Sequence, residues 1–328
     1  MKIASWSTTE GVRCGVVVDQ QVFPFDDTVT VLELVQAGLP RALALGRAAV
    51  DGALSHDLST LQVAPPLVPP SVRDFVAFEE HVEGVVKNAG QGAEVPPDWY
   101  AAPTFYFTNP HTLCATGEQI TPPSGCERLD FELEVAAVVG AVEGKDGRNI
   151  PVESARDHIF GYTIMNDWSA RDLQYPEMRV NLGPCKGKDF ATTLGPWIVT
   201  ADEFDDRYDP EGFLPLRMTV AINGAEFGHD LLSNMGWPFG ELVAYASRNS
   251  RVVPGDVLGS GTAGGGCLAE SWGRGGSQSP IQSGDVVTMR VDGIGEISNA
   301  VLPAHTLPPV PRARSRRPAT PPVLRPSP

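Results

Sequence analysis

Residues 130–140, DFELEVAAVVG, begin with alternating acidic and apolar side chains and end in an uninterrupted apolar run. Successive side chains of a β-strand point to opposite faces, so the pattern predicts a strand with Asp130, Glu132 and Glu134 on one face. One interpretation is a half-buried strand whose acidic face meets water. The apolar run favours the other interpretation, a strand covered on both faces. Buried carboxylates need a counter-charge, and a metal ion is the candidate.

The chain divides into four segments by its pattern of apolar, proline and glycine residues. Residues 1–63 predict a small β-rich domain, with a hairpin in GVRCGVVVDQQVFPFDD and a helix in VTVLELVQAGLPRALALGRAAV. The proline-rich residues 64–72 predict a linker, and residues 73–305 predict the main domain. Residues 306–328 are rich in proline and arginine and predict a disordered tail.

The main domain consists mostly of predicted strands separated by glycine and proline. It opens with DFVAFEEHVEGVVKNAG, where apolar residues from Phe75 to Val86 recur at helical spacing and residues 88–90 supply a stop. Five later segments predict strands: DFELEVAAVVG, HIFGYTIMND, LGPWIVT, LRMTVAING and DVVTMRVDGIGEI. Because few long helices lie between them, we predict an α+β, mainly β fold and not a doubly wound parallel sheet.

Composition narrows the class of protein. The chain has 328 residues, 42% of them apolar and 20% charged, which is typical of a water-soluble protein. We see neither a signal-peptide core nor an apolar run of about 20 residues, and we therefore expect a cytoplasmic protein. The net charge is −15, and the tail contributes only positive charges. A protein this acidic repels phosphate groups, so we expect neither nucleic acid nor a membrane as partner.

Polar residues in three segments could support chemistry. Asp167 in GYTIMNDWSARDLQ stands where a buried strand ends, either as a partner of the strand acids or as a helix N-cap. Lys186 and Lys188 in KGKDFATTLGPW are either solvated or placed to hold an anion or oxyanion. His81 lies in a short acid-flanked helix, where a single histidine is more often structural than catalytic.

The segment GSGTAGGGCLAESW contains G-x-G-x-x-G over residues 259–264. A dinucleotide site would need a helix starting at once and an acid about 20 residues later, whereas more glycine follows here. We interpret the glycines as a tight loop that lets backbone approach a ligand. Spacing alone therefore predicts a soluble domain with a carboxylate metal site.

Four of these segments, in this order, resemble motifs of the fumarylacetoacetate hydrolase family. DFELEVAAVVG matches its D-x-E-x-E strand, NDWSARDLQ its N-D-x-S-A-R-D motif, GKDFATTLGPWIV its G-K-S-F-x-T-T-x-x-P-W-V motif and SGTAGGG its glycine loop. The resemblance covers nearly the whole chain before the tail. It implies a mixed β-roll catalytic domain behind a small N-terminal β-rich domain, and a homodimer.

The resemblance also implies a metal centre. The family's ligands are all carboxylates and fall on Asp74, Glu132, Glu134 and Asp167. Thr192 would touch the hydration shell of the ion, whereas Asp130 has no ligand counterpart. An all-oxygen set suits a hard divalent cation, so we predict Mg²⁺, with Ca²⁺ and Mn²⁺ as alternatives.

The reaction implied by the resemblance is hydrolytic cleavage of a β-dicarbonyl compound. His81 follows the first ligand at the spacing of the family's water-activating histidine, and Glu270 resembles the carboxylate that orients it. Lys188 and Gln174 would stabilise the tetrahedral oxyanion, and the leaving carbanion would depart as an enolate held by the ion. The family's substrate contacts resemble Tyr106, Gln174, Lys188 and Thr262.

Two departures from the family pattern leave the substrate open. A substrate-binding arginine shortly after the histidine is replaced by a region with only Lys87, and a glutamate three residues after it is replaced by Gly84. We weigh three hypotheses. The first is a hydrolase that cleaves a C–C bond in a 1,3-diketo acid, such as fumarylacetoacetate or an acylpyruvate. The second is an isomerase of a hydroxydienoate or a decarboxylase of a β-keto acid, and the third is a binding protein. The histidine and glutamate favour the hydrolase, with a small keto acid as partner, because the alternatives need no attack by water.

Overall fold

A computed structural model describes residues 1–88 and 94–314 of the chain. The predicted helix stop at residues 89–90 and the predicted disorder of residues 315–328 lie outside the described residues. Among the described helices, none is long and apolar enough to cross a membrane.

The described residues form strands, α-helices and short 3₁₀ helices. The strands are β1 (Lys2–Thr8), β2 (Gly11–Val18), β3 (Gln21–Pro24), β4 (His56–Asp57), β5 (Gln62–Ala64), β6 (Val72–Phe75), β7 (Phe105–Thr108), β8 (Leu113–Cys114), β9 (Leu129–Asp130), β10 (Leu133–Val139), β11 (Ile159–Asp167), β12 (Ser169–Ala170), β13 (Thr192–Thr200), β14 (Arg217–Ile222), β15 (Ala225–Leu231), β16 (Val257–Gly259), β17 (Val286–Val291) and β18 (Gly295–Ala300). The α-helices are α1 (Val31–Ala37), α2 (Leu39–Asp51), α3 (Glu79–Asn88), α4 (Val152–Ala155), α5 (Arg171–Arg179), α6 (Phe239–Ser247) and α7 (Leu268–Gly273). The 3₁₀ helices are Leu58–Thr60, Pro97–Ala101, Arg156–His158, Ala201–Arg207 and Leu232–Asn234.

Most strands join one large mixed sheet. Its order is β4-β3-β2-β1-β13-β11-β10-β16-β6-β7, with β5 paired to β1 and β8 paired to β13. A four-stranded sheet, β15-β14-β17-β18, and a two-stranded pair, β12-β9, complete the architecture. The α+β, mainly β prediction is confirmed, because antiparallel pairs dominate and β6–β16 and β8–β13 are the parallel exceptions.

Strand β10 is covered on both faces, which explains its apolar sequence. Val135 and Ala137 pack into one hydrophobic core with α6 and the four-stranded sheet, whereas Ala136 and Val138 pack into a second core with α1. Alternate side chains of the strand thus enter two different cores. The acid before them, Glu134, is fully buried. The half-buried interpretation of this strand is therefore wrong.

The N-terminal strands continue the same sheet. Strand β1 pairs antiparallel with β13, with Lys2 opposite Val199, and β2 and β3 form the predicted hairpin. The turn of that hairpin uses Asp19 at φ 52°, a left-handed conformation that aspartate tolerates. The division into domains at residues 63 and 72 stays a prediction.

Two local predictions are corrected. The helix predicted from Phe75 begins only at Glu79, because residues 72–75 pair with both β16 and β7 and those sheet hydrogen bonds outweigh the helical spacing. The N-cap interpretation of Asp167 is wrong as well, since this residue ends β11 and Ala170 occupies the N-cap of α5.

Candidate metal centre and active site

The sheet brings four predicted carboxylates to one place. Glu132 directly precedes β10 and Glu134 lies on it. Asp167 ends the neighbouring β11, and Asp74 lies on β6, two strands away across β16. Gly259 of β16 lies between the carboxylates and pairs with Asp74. A Cβ at Gly259 would lie 2.6 Å from Asp74 Oδ1 and 3.0 Å from Glu134 Oε2, so the glycine makes room for both acids.

The carboxylate cluster has the oxygen atoms that a hard cation needs. Oxygens of Asp74, Glu132 and Asp167 lie within 4.8 Å of one another. Glu134 adjoins them, because a Cβ at Gly259 would approach oxygens of both Asp74 and Glu134. Within the described residues, four buried oxygens at this site have no hydrogen-bond partner: Asp74 Oδ1, Glu134 Oε2, Asp167 Oδ1 and Thr192 Oγ1. Orphaned buried oxygens are costly, and a divalent cation would satisfy them. The residues present therefore fit the predicted ion.

The electrostatics of the cluster are uneven. Burial, followed by repulsion from neighbouring carboxylates, raises the pKa of Asp74 and of Glu134 well above the usual range. Burial alone would also raise the pKa of Glu132, but the charges of Lys188 and Arg171 outweigh it and lower that pKa. The negative charge of Glu132 is thus compensated by ion pairs with Lys188 and Arg171, whereas no ion pair among the described residues involves Asp74 or Glu134.

Lys188 is buried between two of the carboxylates. Its ammonium donates to Glu132 Oε2 and, at 2.5 Å, to Asp167 Oδ2, and the hydroxyl of Tyr106 donates to the same Asp167 oxygen. Although burial alone lowers the pKa of Lys188, the two carboxylates outweigh it and raise that pKa, so the amine stays charged. A cavity of about 280 Å³ opens beside Lys188 and Tyr106. In contrast, Lys186 is exposed and pairs with Asp189, which fits the solvated interpretation.

His81 and Glu270 form a buried pair. The His81 Nδ1 atom lies 2.8 Å from Glu270 Oε1, and the other carboxylate oxygen accepts from the Gly265 amide at 2.7 Å. Glu270 is on α7, which packs directly against α3. A Cβ at Gly84 of α3 would lie 2.8 Å from the Glu270 Cγ atom. The departure at Gly84 thus permits the close approach that joins His81 to Glu270.

Arg171 is the residue that the sequence analysis missed. Its guanidinium is buried and forms ion pairs with Asp130 at 2.7 Å and with Glu132 at 2.8 Å. It also donates to the Gln174 side-chain oxygen at 3.0 Å. Two features of the sequence could have pointed to this ion pair. An arginine stands inside the NDWSARDLQ motif, and the predicted acidic strand face left Asp130 without a partner. A buried acid without a ligand role requires a cation.

Asp130 connects this arginine to the helix that carries Glu270. Its carboxylate accepts from the backbone amides of Leu268 at 2.8 Å and Ala269 at 3.0 Å, at the start of α7. These amides have no partner within the helix, and a carboxylate there also meets the positive end of the helix dipole. Asp130 therefore holds Arg171 and the Glu270 helix in one arrangement.

The remaining predicted residues surround the cluster less directly. Gln174 is buried and reaches the carboxylates through Arg171. The Thr262 hydroxyl donates to Glu134 Oε1 at 3.5 Å, and Thr192 begins β13 beside Asp167. Thr262 and Thr192 thus adjoin the carboxylate cluster, whereas Gln174 is linked to it through Arg171, and the individual roles of these residues stay predictions.

The fold and site define a mixed-sheet protein with a buried carboxylate cluster suited to a divalent cation and with a buried histidine–glutamate pair. The family model described as Fumarylacetoacetate (FAA) hydrolase C-terminal matches residues 71–302. The chain belongs to the fumarylacetoacetate hydrolase family.

Individual relatives agree with this assignment. The fumarylacetoacetase of Arabidopsis thaliana is 32% identical over 290 residues, which cover 71% of this chain and 67% of that protein. Two solved structures share the fold at lower identity. Maleylpyruvate hydrolase from Sphingobium sp. SYK-6, in complex with manganese(II) and pyruvate, has a TM-score of 0.67 at 21% identity and covers 93% of this chain and 100% of its own. A 5-carboxymethyl-2-hydroxymuconate delta-isomerase from Mycobacterium smegmatis has a TM-score of 0.65 at 22% identity and covers 92% and 100%.

Proposed function

We propose that this protein is a divalent-metal-dependent hydrolase that cleaves a C–C bond in a 1,3-diketo acid such as fumarylacetoacetate or an acylpyruvate. The observation that carries the proposal is the buried pair of His81 and Glu270 beside the carboxylate cluster. A metal cluster alone would serve isomerisation or decarboxylation equally well. A histidine held by a carboxylate adds the general base that attack by water requires.

The metal would be held by Asp74, Glu132, Glu134 and Asp167, with Thr192 near its hydration shell. When bound, a divalent cation supplies Lewis-acid polarisation of the substrate oxygens. Mg²⁺ is the expected ion, with Ca²⁺ and Mn²⁺ as alternatives, because the donor set is all oxygen. The manganese in the maleylpyruvate hydrolase supports a divalent cation of this class.

The dyad would supply the attacking hydroxide. Glu270 accepts the Nδ1 proton of His81 at 2.8 Å, which leaves Nε2 with the lone pair that takes a proton from water. Glu270 then stabilises the imidazolium that forms. The hydroxide adds to a substrate carbonyl carbon, the adjacent C–C bond breaks, and the electron pair goes to the departing enolate. The imidazolium returns the proton to that fragment, which restores the dyad.

The cationic residues would stabilise the charge that develops on the substrate. Lys188 stays protonated, and we place its ammonium and the amide of Gln174 beside the oxyanion formed when hydroxide adds. Tyr106 lines the cavity beside Lys188 and would contact the substrate there. Thr262 would contact the substrate from beside Glu134. A homodimer is expected from the family, and light scattering on the purified protein would test it.

Product analysis in ¹⁸O water tests the reaction class. The purified protein with Mg²⁺ is offered fumarylacetoacetate, an acylpyruvate and oxaloacetate in parallel, and the products are weighed by mass spectrometry. We expect ¹⁸O in a new carboxylate, lost in His81→Ala. The matched control is His229→Ala, because His229 is an exposed histidine that pairs with Glu226 on a surface strand.

Two other results would contradict different parts of the proposal. Release of carbon dioxide, or an isomer without label, would assign the protein to the decarboxylase or isomerase alternative and would contradict the role of His81. Label incorporation that survives His81→Ala would keep the hydrolase and remove the histidine as its base.

A further inference from the structure

A third side chain lies against the histidine–glutamate pair. The Cys267 sulfur is 3.7 Å from His81 Nδ1 and 3.6 Å from Glu270 Oε1, while those two atoms are 2.8 Å apart. Cys267 and Glu270 are fully buried and His81 nearly so. The three donor atoms form a compact triangle, separate in composition from the all-oxygen carboxylate cluster.

The triangle has the dimensions of one face of a tetrahedral zinc site. Zinc bonds of about 2.0–2.1 Å to nitrogen and oxygen and about 2.3 Å to sulfur place tetrahedral donors roughly 3.3–3.6 Å apart. The distance from Cys267 to Glu270, 3.6 Å, lies at the upper end of this range, and the distance to His81, 3.7 Å, exceeds it by about 0.1 Å. The 2.8 Å distance is that of a hydrogen bond, and it would lengthen by about 0.5 Å when a metal replaces the proton. A mixed nitrogen, sulfur and oxygen set favours zinc over the hard cations.

We propose that His81 Nδ1, Cys267 Sγ and Glu270 Oε1 form a second, inhibitory metal site that takes Zn²⁺ and not Mg²⁺. Water would supply the fourth ligand. The thiol proton leaves to solvent on binding, so the thiolate and carboxylate together balance the charge of the ion. The Glu270 Oε2 atom stays held by the Gly265 amide, which keeps Oε1 turned toward the triangle.

Zinc at this site would block the base by changing the histidine tautomer. A metal on Nδ1 leaves the single proton of the neutral imidazole on Nε2. That nitrogen then has no lone pair with which to take a proton from water. The inhibitory effect rests on the proposed hydrolase function, but binding of the metal itself does not.

Binding is tested without substrate, using Co²⁺ as a spectroscopic substitute for zinc. The protein is first saturated with Mg²⁺ and then titrated with Co²⁺ in the absence of reductants that chelate metal. We expect one equivalent to give the near-ultraviolet thiolate-to-cobalt charge-transfer band, and Cys267→Ala to abolish it. Two matched controls are Cys14→Ala, a buried thiol elsewhere, and Cys185→Ala, an exposed one; both should keep the band.

Inhibition is then tested on the Mg²⁺-saturated enzyme. We expect Zn²⁺ to inhibit wild type and both controls at similar concentrations. Inhibition of Cys267→Ala should require at least about 100-fold more zinc, because this variant loses one of the three protein ligands. Inhibition that excess Mg²⁺ relieves and that Cys267→Ala leaves unchanged would overturn the proposal, because zinc would then act at the carboxylate cluster. If Cys267→Ala fails to fold, absence of the charge-transfer band in wild type still overturns it. Failure of the hydrolase proposal would leave no hydrolytic turnover to inhibit but would not affect the cobalt titration.

Discussion

Replacing Gly84 with alanine should disable the histidine–glutamate pair while the protein stays folded. The added Cβ would lie 2.8 Å from Cγ, 3.0 Å from Cβ and 3.2 Å from Cα of Glu270. The last of these atoms belongs to the backbone of α7 and cannot rotate away. The clash is therefore relieved by moving α3, which carries His81, away from α7.

The size of the movement follows from ordinary contact distances. Carbon atoms pack at about 3.5–4.0 Å, so the helices must separate by roughly 0.5–1 Å at this point. The bond between His81 and Glu270 would lengthen from 2.8 Å beyond about 3.3 Å, where a hydrogen bond is largely lost. A correctly positioned general base contributes about 10²- to 10⁴-fold in rate, and a misplacement of about 1 Å costs on the order of 10²-fold.

Stability should change much less than activity. Overpacking costs about 1–3 kcal/mol, but alanine is favoured over glycine in a helix interior by about 1 kcal/mol. The two effects partly cancel and leave a net loss of roughly 0–2 kcal/mol. Affinity for the metal should be unchanged, because none of the four carboxylates of the cluster is among the nearest atoms to the new Cβ.

The assay compares kcat, the free energy of unfolding and the Mg²⁺ dissociation constant in wild type and Gly84→Ala. Gly240→Ala is the matched control, since Gly240 is also in a helix and its added Cβ would meet only ordinary contacts, the nearest 3.6 Å from Arg156. We expect kcat to fall at least about 10²-fold in Gly84→Ala alone. A wild-type kcat in Gly84→Ala would refute the claim that the close packing of α3 on α7 positions the base.

Four further predictions follow from the buried carboxylates. Chelating the divalent cation should lower the melting temperature, and adding it back at 100 times its dissociation constant should restore about 2.7 kcal/mol in calorimetry. Because the pKa values of Asp74 and Glu134 are raised, the metal-free protein holds protons that the ion must displace. Metal affinity should therefore rise with pH, and titration calorimetry in buffers of different ionisation enthalpy should detect proton release; an affinity independent of pH would contradict this. The raised values also make the folded metal-free protein bind more protons than the unfolded chain, so its stability should fall as pH rises above the ordinary carboxyl pKa. Asp130→Asn should lower the free energy of unfolding in urea by about 3–5 kcal/mol, because it removes one charge from the buried pair with Arg171 and weakens the start of α7. A loss below about 1 kcal/mol would show that Glu132 alone compensates Arg171.

Much of the carboxylate cluster could be predicted from the sequence because its signals are local. Alternation with period two placed Glu132 and Glu134 on one face of a strand, and the apolar run that follows predicted that the strand is buried. An all-oxygen ligand set points to a hard cation wherever it occurs. The fold class followed from strand segments separated by glycine and proline, and the family motifs identified the remaining candidates.

The tertiary structure alone decided how these residues meet. His81 and Glu270 are 189 residues apart, and their contact depends on the absence of a side chain at Gly84, which no local pattern reveals. The same holds for Gly259, whose value lies in the space it leaves between two acids on strands that are not adjacent in sequence. The sequence placed Asp130 on the same strand face as the two glutamates but gave it no ligand role, and only the fold reveals Arg171 and the start of α7 as its partners. Periodicity determines which face of a strand a side chain occupies, whereas the packing of distant segments determines what that face meets.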